Sequence, residues 1–249
     1  MRSLRWHLFD THCHIDMPAF DLDRQTVIKR ASDARIALIN SGINLRSNHA
    51  TKDLLQYENV FAAYGLSPIN LDDKNQVSEF IRCNADSAIA IGEVGLDFYH
   101  VKAQHQRVEQ EDVFRIFIRL SQELNLPLII HSRDAEERVF KLVNRVDQAV
   151  YHCYGGNGEL LNAIADCGHY ISISTRVSKS AHHQKLVKSA PQEAILVETD
   201  SPYQAAHRGR NEPALVRDAV VAISRIWDMK LEDTASILMK NTYKAFNLV

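Results

Sequence analysis

Short apolar runs alternate with longer amphipathic stretches from one end of the chain to the other. The apolar runs cover residues 8–14, 36–42, 60–66, 88–95, 127–132, 149–154, 170–174 and 195–200. Each is rich in Ile, Val, Leu, Tyr or Phe, and most end on Gly, Ser, Pro or Asp, as buried parallel strands do. Between the runs, apolar positions recur three, four and seven apart, the spacing of one helix face. Val113, Phe114, Phe117, Ile118, Leu120 and Leu124 line one side of a long helix. Leu215, Val216, Ala219, Val220, Ile223 and Ile226 do the same near the C-terminus, and Ile237, Leu238, Tyr243 and Phe246 predict a last helix.

Eight strands alternating with helices are compatible with a closed barrel or an open doubly wound sheet. The open sheet usually announces a glycine-rich phosphate loop after one strand, and none is present in the sequence. Instead, several strands end in a polar residue able to do chemistry. That is the habit of a (β/α)8 TIM barrel, whose site collects side chains from many strand ends at the C-terminal face. The pattern therefore predicts a single barrel domain over residues 1–249, a length that suits one such barrel.

Composition narrows the function. Hydrophobic content of 45% and charged content of 24% are ordinary for a globular protein. A chain this long buries enough apolar surface to fold without a structural metal, so ligand-like residues point to catalysis rather than to a fold staple. A formal charge of −2 is no basic nucleic-acid footprint. It leaves a nuclease open, because bound divalent ions bring their own positive charge to a site. The four cysteines form no C-x-x-C pair and read as reduced thiols of a cytoplasmic protein. The N-terminal apolar run is too short for a signal peptide, and no stretch approaches a transmembrane span.

The strand ends carry the candidate chemistry. In Asp10-Thr11-His12-Cys13-His14, strand alternation puts His12 and His14 on one face and Cys13 on the other, toward the helices. A lone H-x-H also arises from ordinary surface or core histidines. Glu93 ends the apolar run Ala88-Ile89-Ala90-Ile91, where a carboxylate needs a cation or an ion-pair partner. His131 and His152 end the fifth and sixth strands, and Asp200 ends the eighth. Singly, each could be a packed histidine or a helix cap. Together they place His, His, Glu, His, His and Asp at the same end of five strands, which a closed barrel brings to one pocket. Mixed nitrogen and oxygen donors suit zinc, manganese, iron or cobalt and accept magnesium. Six protein ligands exceed what one open catalytic ion needs, so two ions sharing Glu93 is the natural expectation, about 3.5–4 Å apart.

The segments D-T-H-C-H, G-E-V-G-L-D, H-S-R, H-C-Y-G-G and E-T-D-S-P occur here in this order, followed by Asn211-Glu212-Pro213 and Asn241-Thr242-Tyr243-Lys244-Ala245-Phe246. In this the chain resembles the TatD-type deoxyribonucleases of the amidohydrolase-like metal-dependent hydrolase superfamily, from Asp10 to Phe246. The resemblance implies two divalent ions per chain, zinc, manganese or magnesium. His12, His14 and Asp200 would hold one and His131 and His152 the other, with Glu93 between them. It implies hydrolysis of DNA phosphodiester bonds by a metal-activated water, often from the 3′ end, with Asp200 and Glu93 as the catalytic carboxylates. Arg133, two residues past His131, shares its strand face and is a candidate for a substrate phosphate, or for a structural ion pair. A superfamily relative acting on a small-molecule amide, lactone or phosphate ester is the alternative, and a non-catalytic binding protein a third. Relatives of the first kind often bridge their metals with a carboxylated lysine from the fourth strand; Glu93 at that position favours the nuclease.

Two departures stand out. Gly65-Leu66-Ser67-Pro68 carries Ser67 where the family has histidine, and His152-Cys153-Tyr154-Gly155-Gly156 varies the family's H-x-F-S-G. Ser67 supplies no imidazole, though its hydroxyl can still meet a phosphate. The remaining histidines, His7, His49, His100, His105, His169, His182, His183 and His207, read as surface or packing residues, and Cys83 and Cys167 as core thiols. Lys179, Arg208 and Arg210 sit in loops where a polyanion or solvent could meet them.

Overall fold

The structure, a computed structural model, describes residues 6–143 and 146–248. Strands and helices alternate: β1 (Leu8–Cys13), α1 (Arg24–Asp33), β2 (Ile36–Ser41), α2 (Leu45–Asp53), β3 (Val60–Tyr64), α3 (Lys74–Cys83), β4 (Ala88–Asp97) and α4 (Gln104–Leu124). The second half continues with β5 (Leu128–Arg133), α5 (Glu136–Leu142), β6 (Ala149–Tyr151), α6 (Gly158–Asp166), β7 (Tyr170–Ser174), α7 (Ala181–Ser189), β8 (Ile195–Glu198), α8 (Val216–Trp227) and α9 (Leu231–Ala245). Each strand pairs in parallel with the next, in the order β1 to β8. Just past the strand ends, the Asp200 N–H donates to the His12 carbonyl at 2.9 Å, and the His14 N–H to Ser201 at 2.8 Å. These bonds join β8 to β1 and make the sheet a (β/α)8 barrel.

Two apolar layers follow from strand alternation. Phe9, Ile39, Ala63, Ile129, Val150 and Leu196 fill the barrel interior. Their neighbours Leu8, Leu38, Ala62, Ile130, Tyr151 and Val197 pack outward with the helices. The last helix packs against the strand starts: Tyr243 meets Phe9 edge-on, and Asn241 donates to the Ile195 carbonyl at 2.9 Å.

Two strands change phase before they reach the site. The β1–β2 register shifts between Asp10 and Cys13, and the β4–β5 register between Ile91 and Val94. Counting by twos from Phe9 would turn Cys13 inward. The shift, a bulge-type irregularity, instead turns His12 and His14 in and leaves Cys13 in the outer layer, its Sγ–H on the Ile39 carbonyl. The same change in β4 frees Glu93 from the phase of Ala90, while Val94 packs outward.

Several strands end earlier than the hydrophobic pattern predicts: β6 at Tyr151 and β8 at Glu198. His152 and Asp200 therefore lie just beyond the ladder, where the chain is turning; Cys153 and Asp200 have φ of 46° and 54°. The expectation that Cys83 and Cys167 are core thiols is corrected, since both are exposed. Cys83 ends α3 and hydrogen-bonds Glu79, and Cys167 caps α6 at its outer end.

Candidate metal centre

The six predicted side chains converge. His12, His14, Glu93, His152 and Asp200 are buried and His131 is half-buried. The two Nε2 atoms of His12 and His14 lie 3.1 Å apart. Asp200 Oδ1 is 3.8 Å from the first and 3.7 Å from the second. Glu93 spans the cluster. Its Oε2 faces His12 Nε2 at 3.4 Å and His14 Nε2 at 3.3 Å. Its Oε1 faces His131 Nδ1 at 2.8 Å and His152 Nε2 at 3.4 Å. The rings of His12 and His152 stack at 3.9 Å, so the two halves of the cluster are contiguous.

The outer nitrogens of the rings decide which atoms face inward with a lone pair. His14 Nδ1 donates to the Ser41 carbonyl at 2.8 Å, leaving Nε2 as the acceptor. His12 Nδ1 pairs with Ser41 Oγ at 3.1 Å. His131 Nε2 donates to Asp97 Oδ2 at 2.8 Å, leaving Nδ1 to face Glu93. Lone pairs and carboxylate oxygens thus crowd one space at 2.8–3.8 Å. Without a positive charge among them they repel. Ligands held at about 2.0–2.2 Å from a common ion are mutually spaced in this way, and the donor set fits a divalent cation.

Burial and mutual charge shift these groups strongly. Burial, then the charge of His152, hold His12 down at about 4. Burial works against charging His14, but Glu93 and Asp200 carry it up to about 9. Burial raises Asp200 to about 7, against the pull of His152 and His14. Burial would also raise Glu93, yet the surrounding imidazoles keep it well below the usual carboxylate range.

Three residues around the candidate ligands escape sequence reasoning. Asp97, fully buried at the end of β4, accepts His131 Nε2–H through Oδ2, and the same oxygen takes the Nδ1–H of His100 at 2.9 Å. His100, read from the sequence as a surface or packing residue, is therefore part of the support behind His131. Glu198, inside the barrel at the end of β8, faces His152 Nδ1 at 3.7 Å, an ion-pair separation rather than a hydrogen bond. Burial disfavours its charge, but His152 overrides this and the net shift is downward. A polar residue two positions before a candidate ligand on the same strand face was the available signal for Glu198 relative to Asp200.

Among the described residues, neither candidate substrate residue shares a hydrogen bond or ion pair with the cluster. Ser67 is half-buried three residues past β3, its N–H on the Ile43 carbonyl at 2.9 Å. Among the described residues, no hydrogen bond joins it to the six candidate ligands. Arg133 is exposed at the end of β5 and stacks on Tyr99 rather than forming an ion pair. Arg210, by contrast, is consumed by Asp23 at 2.6 Å and packs over Phe20, which removes it from the candidates for a polyanion.

A parallel barrel with imidazoles and carboxylates gathered at its strand ends is the architecture of a metal-dependent hydrolase. The model of the TatD related DNase family matches residues 9–247, and the chain belongs to that family. It is 36% identical to an uncharacterized metal-dependent hydrolase of Methanocaldococcus jannaschii, over 99% of this chain and 98% of the other. It is 33% identical to the 3′-5′ ssDNA/RNA exonuclease TatD of Shigella flexneri, over 83% of this chain and 86% of that one. A crystal structure of YjjV, a TatD homologue from Escherichia coli, superposes with a TM-score of 0.87 at 23% identity, covering 99% of each chain, and so shares the fold.

Proposed function

We propose that this protein is a deoxyribonuclease that hydrolyses DNA phosphodiester bonds at a two-metal centre, acting from the 3′ end. The observation that carries the reading is the placement of Glu93, with one carboxylate oxygen toward His12 and His14 and the other toward His131 and His152. His12, His14 and Asp200 would hold one divalent ion, His131 and His152 the other, and Glu93 would touch both. Zinc, manganese or magnesium would supply Lewis acidity and lower the pKa of a coordinated water. Asp200, at the rim of the cluster, would orient that water and accept its proton. Arg133 would bind a substrate phosphate, and the Ser67 hydroxyl would donate a neutral hydrogen bond. The exonuclease relative at 33% identity supports a nucleic-acid substrate. The free cysteines support a reducing, cytoplasmic setting. Among the described residues, no helix is long and apolar enough to cross a membrane.

Ser67 favours a second reading, hydrolysis of a small-molecule amide, lactone or phosphate ester, because the imidazole the family offers to a phosphate is missing. One assay separates the two. Purified protein is incubated with end-labelled single-stranded DNA, with EDTA or with Mg²⁺, Mn²⁺ or Zn²⁺, and in parallel with RNA and small esters. Stepwise shortening of DNA that EDTA stops and a metal restores supports the nuclease. Intact DNA with cleaved small esters supports the alternative.

A further inference from the structure

We propose that Arg133 and Lys102, gathered over the ring of Tyr99 at the mouth of the barrel, form a second phosphate subsite. It would grip a backbone phosphate of a nucleic-acid strand beyond the bond being cut. The proposal rests on the nuclease reading above and deepens it by assigning residues outside the metal cluster to strand binding.

The Arg133 guanidinium carbon lies 3.9 Å from the Tyr99 ring centroid, and Lys102 Nζ lies 5.2 Å from the same centroid. All three residues are exposed. Among the described residues neither cation meets a carboxylate; Lys102 has only the Phe98 carbonyl, at 3.1 Å. Arg30, Arg82 and Arg138, by contrast, are paired with Glu212, Glu123 and Glu111. Both cations lie against one ring without a carboxylate partner, and a phosphate oxyanion would supply the missing counter-charge.

The loop that carries them is braced. Phe98 N–H donates to the Arg133 carbonyl at 2.9 Å, tying the end of β4 to the end of β5. The Asp97 carboxylate takes both the backbone N–H and Nδ1–H of His100. Arg107 reaches the carbonyls of Val101 and Phe98 and stacks over Phe98. The Tyr99 ring is thus held by a pinned backbone while its surface stays open, and it orders Arg133 before any ligand arrives. Arg133 follows His131 by two residues on β5 and is exposed, so the subsite opens to solvent at the strand end that carries His131. A strand whose reacting phosphate sits at the metal ligands has further phosphates to offer there.

The test uses the metal-loaded protein and a fluorescent, phosphorothioate-linked single strand that resists cleavage. Anisotropy gives Kd over a range of salt concentrations. Lys102→Gln and Arg133→Gln should each lower the salt slope of binding by about 0.7, the release expected per single-strand phosphate contact, and the double variant by about twice that. Tyr99→Ala should weaken binding and lower the slope, and Tyr99→Phe, which keeps the ring, should restore both. On cleavable substrates Lys102→Gln should raise KM more than it lowers kcat, with a larger loss on oligonucleotides than on a dinucleotide. A wild type that cleaves DNA, with variants of unchanged salt slope and KM, overturns the subsite alone. A wild type that neither binds nor cuts DNA overturns the nuclease reading and the subsite with it.

Discussion

Asp97 Oδ2 accepts a hydrogen bond from His131 Nε2 at 2.8 Å, and the opposite ring nitrogen of His131 faces Glu93 Oε1 at the same distance. The carboxylate behind the ring fixes which nitrogen is left bare for a cation. Outer partners of this kind typically control metal affinity by about 10–100-fold. Asp97→Ala should therefore weaken metal binding within that range at the His131 side, with Asp97→Asn intermediate because its amide oxygen still accepts. Metal titration of the apoprotein checks it. Equal affinity in wild type and Asp97→Ala would show that His131 needs no such support.

On the nuclease reading, Ser67→His should raise DNA cleavage, because an imidazole at this position would protonate a leaving alkoxide and a serine hydroxyl is a poor acid near neutral pH. General acid catalysis is worth about 10²–10⁴-fold. Rates on the same labelled DNA, at matched metal content, measure the gain. A folded, metallated variant with no gain would shift weight to the small-molecule hydrolase.

Much of the site was legible because β5 keeps strict alternation to its end, so Ile129 predicts His131 and Arg133 on one face. His152 and Asp200 lie one and two residues past β6 and β8, near enough to the strand ends to be assigned to the same end of the barrel. In β1 and β4 the register shifts hide the outcome. Both strands are buried on both faces, so neither shows the polar-out alternation that would reveal a change of phase. His12 and His14 were still found because the shift precedes both and leaves their mutual spacing intact. Asp97, His100 and Glu198 were not found because each acts through a partner that only the folded chain brings near. Arg210 could not be excluded for the same reason, its partner Asp23 lying far off in sequence.

Gly65 shows what the fourth strand demands of its neighbour. A Cβ at this position would lie 2.4 Å from the Gly92 carbonyl carbon and 2.5 Å from the Glu93 nitrogen. Gly65→Ala must therefore displace the backbone that carries Glu93. Overpacking of this kind costs about 1–3 kcal/mol. Thermal unfolding should show the loss, and metal affinity should fall with it; a variant with native stability and affinity would mean that β3 and β4 separate freely.

Metal uptake should release protons in a defined window. In the metal-free protein His14 is raised from 6.5 to about 9, so it is charged at neutral pH and must lose a proton to bind a cation. His12, lowered to about 4, is already neutral there. Apparent affinity should rise with pH above about 6.5 as His14, and His131 and His152, which are also raised, give up their protons. The sign for folding is the reverse. A raised imidazole stabilises the metal-free chain fully below 6.5, and that contribution is lost as pH rises through about 9. Calorimetric titration in buffers of different ionisation enthalpy counts the protons. No release at pH 7.5 would contradict the assignment of the raised imidazoles His14, His131 and His152 as ligands.

The central claim is that Glu93 joins two sets of histidines into one metal centre. Metal analysis paired with anomalous scattering from crystals of the metal-loaded protein tests it most directly. Two ions should appear about 3.5–4 Å apart, one on each side of the Glu93 carboxylate, with binding of both weakened in Glu93→Ala. Metal that stays at full stoichiometry and affinity in Glu93→Ala, or ions found away from that carboxylate, would contradict it.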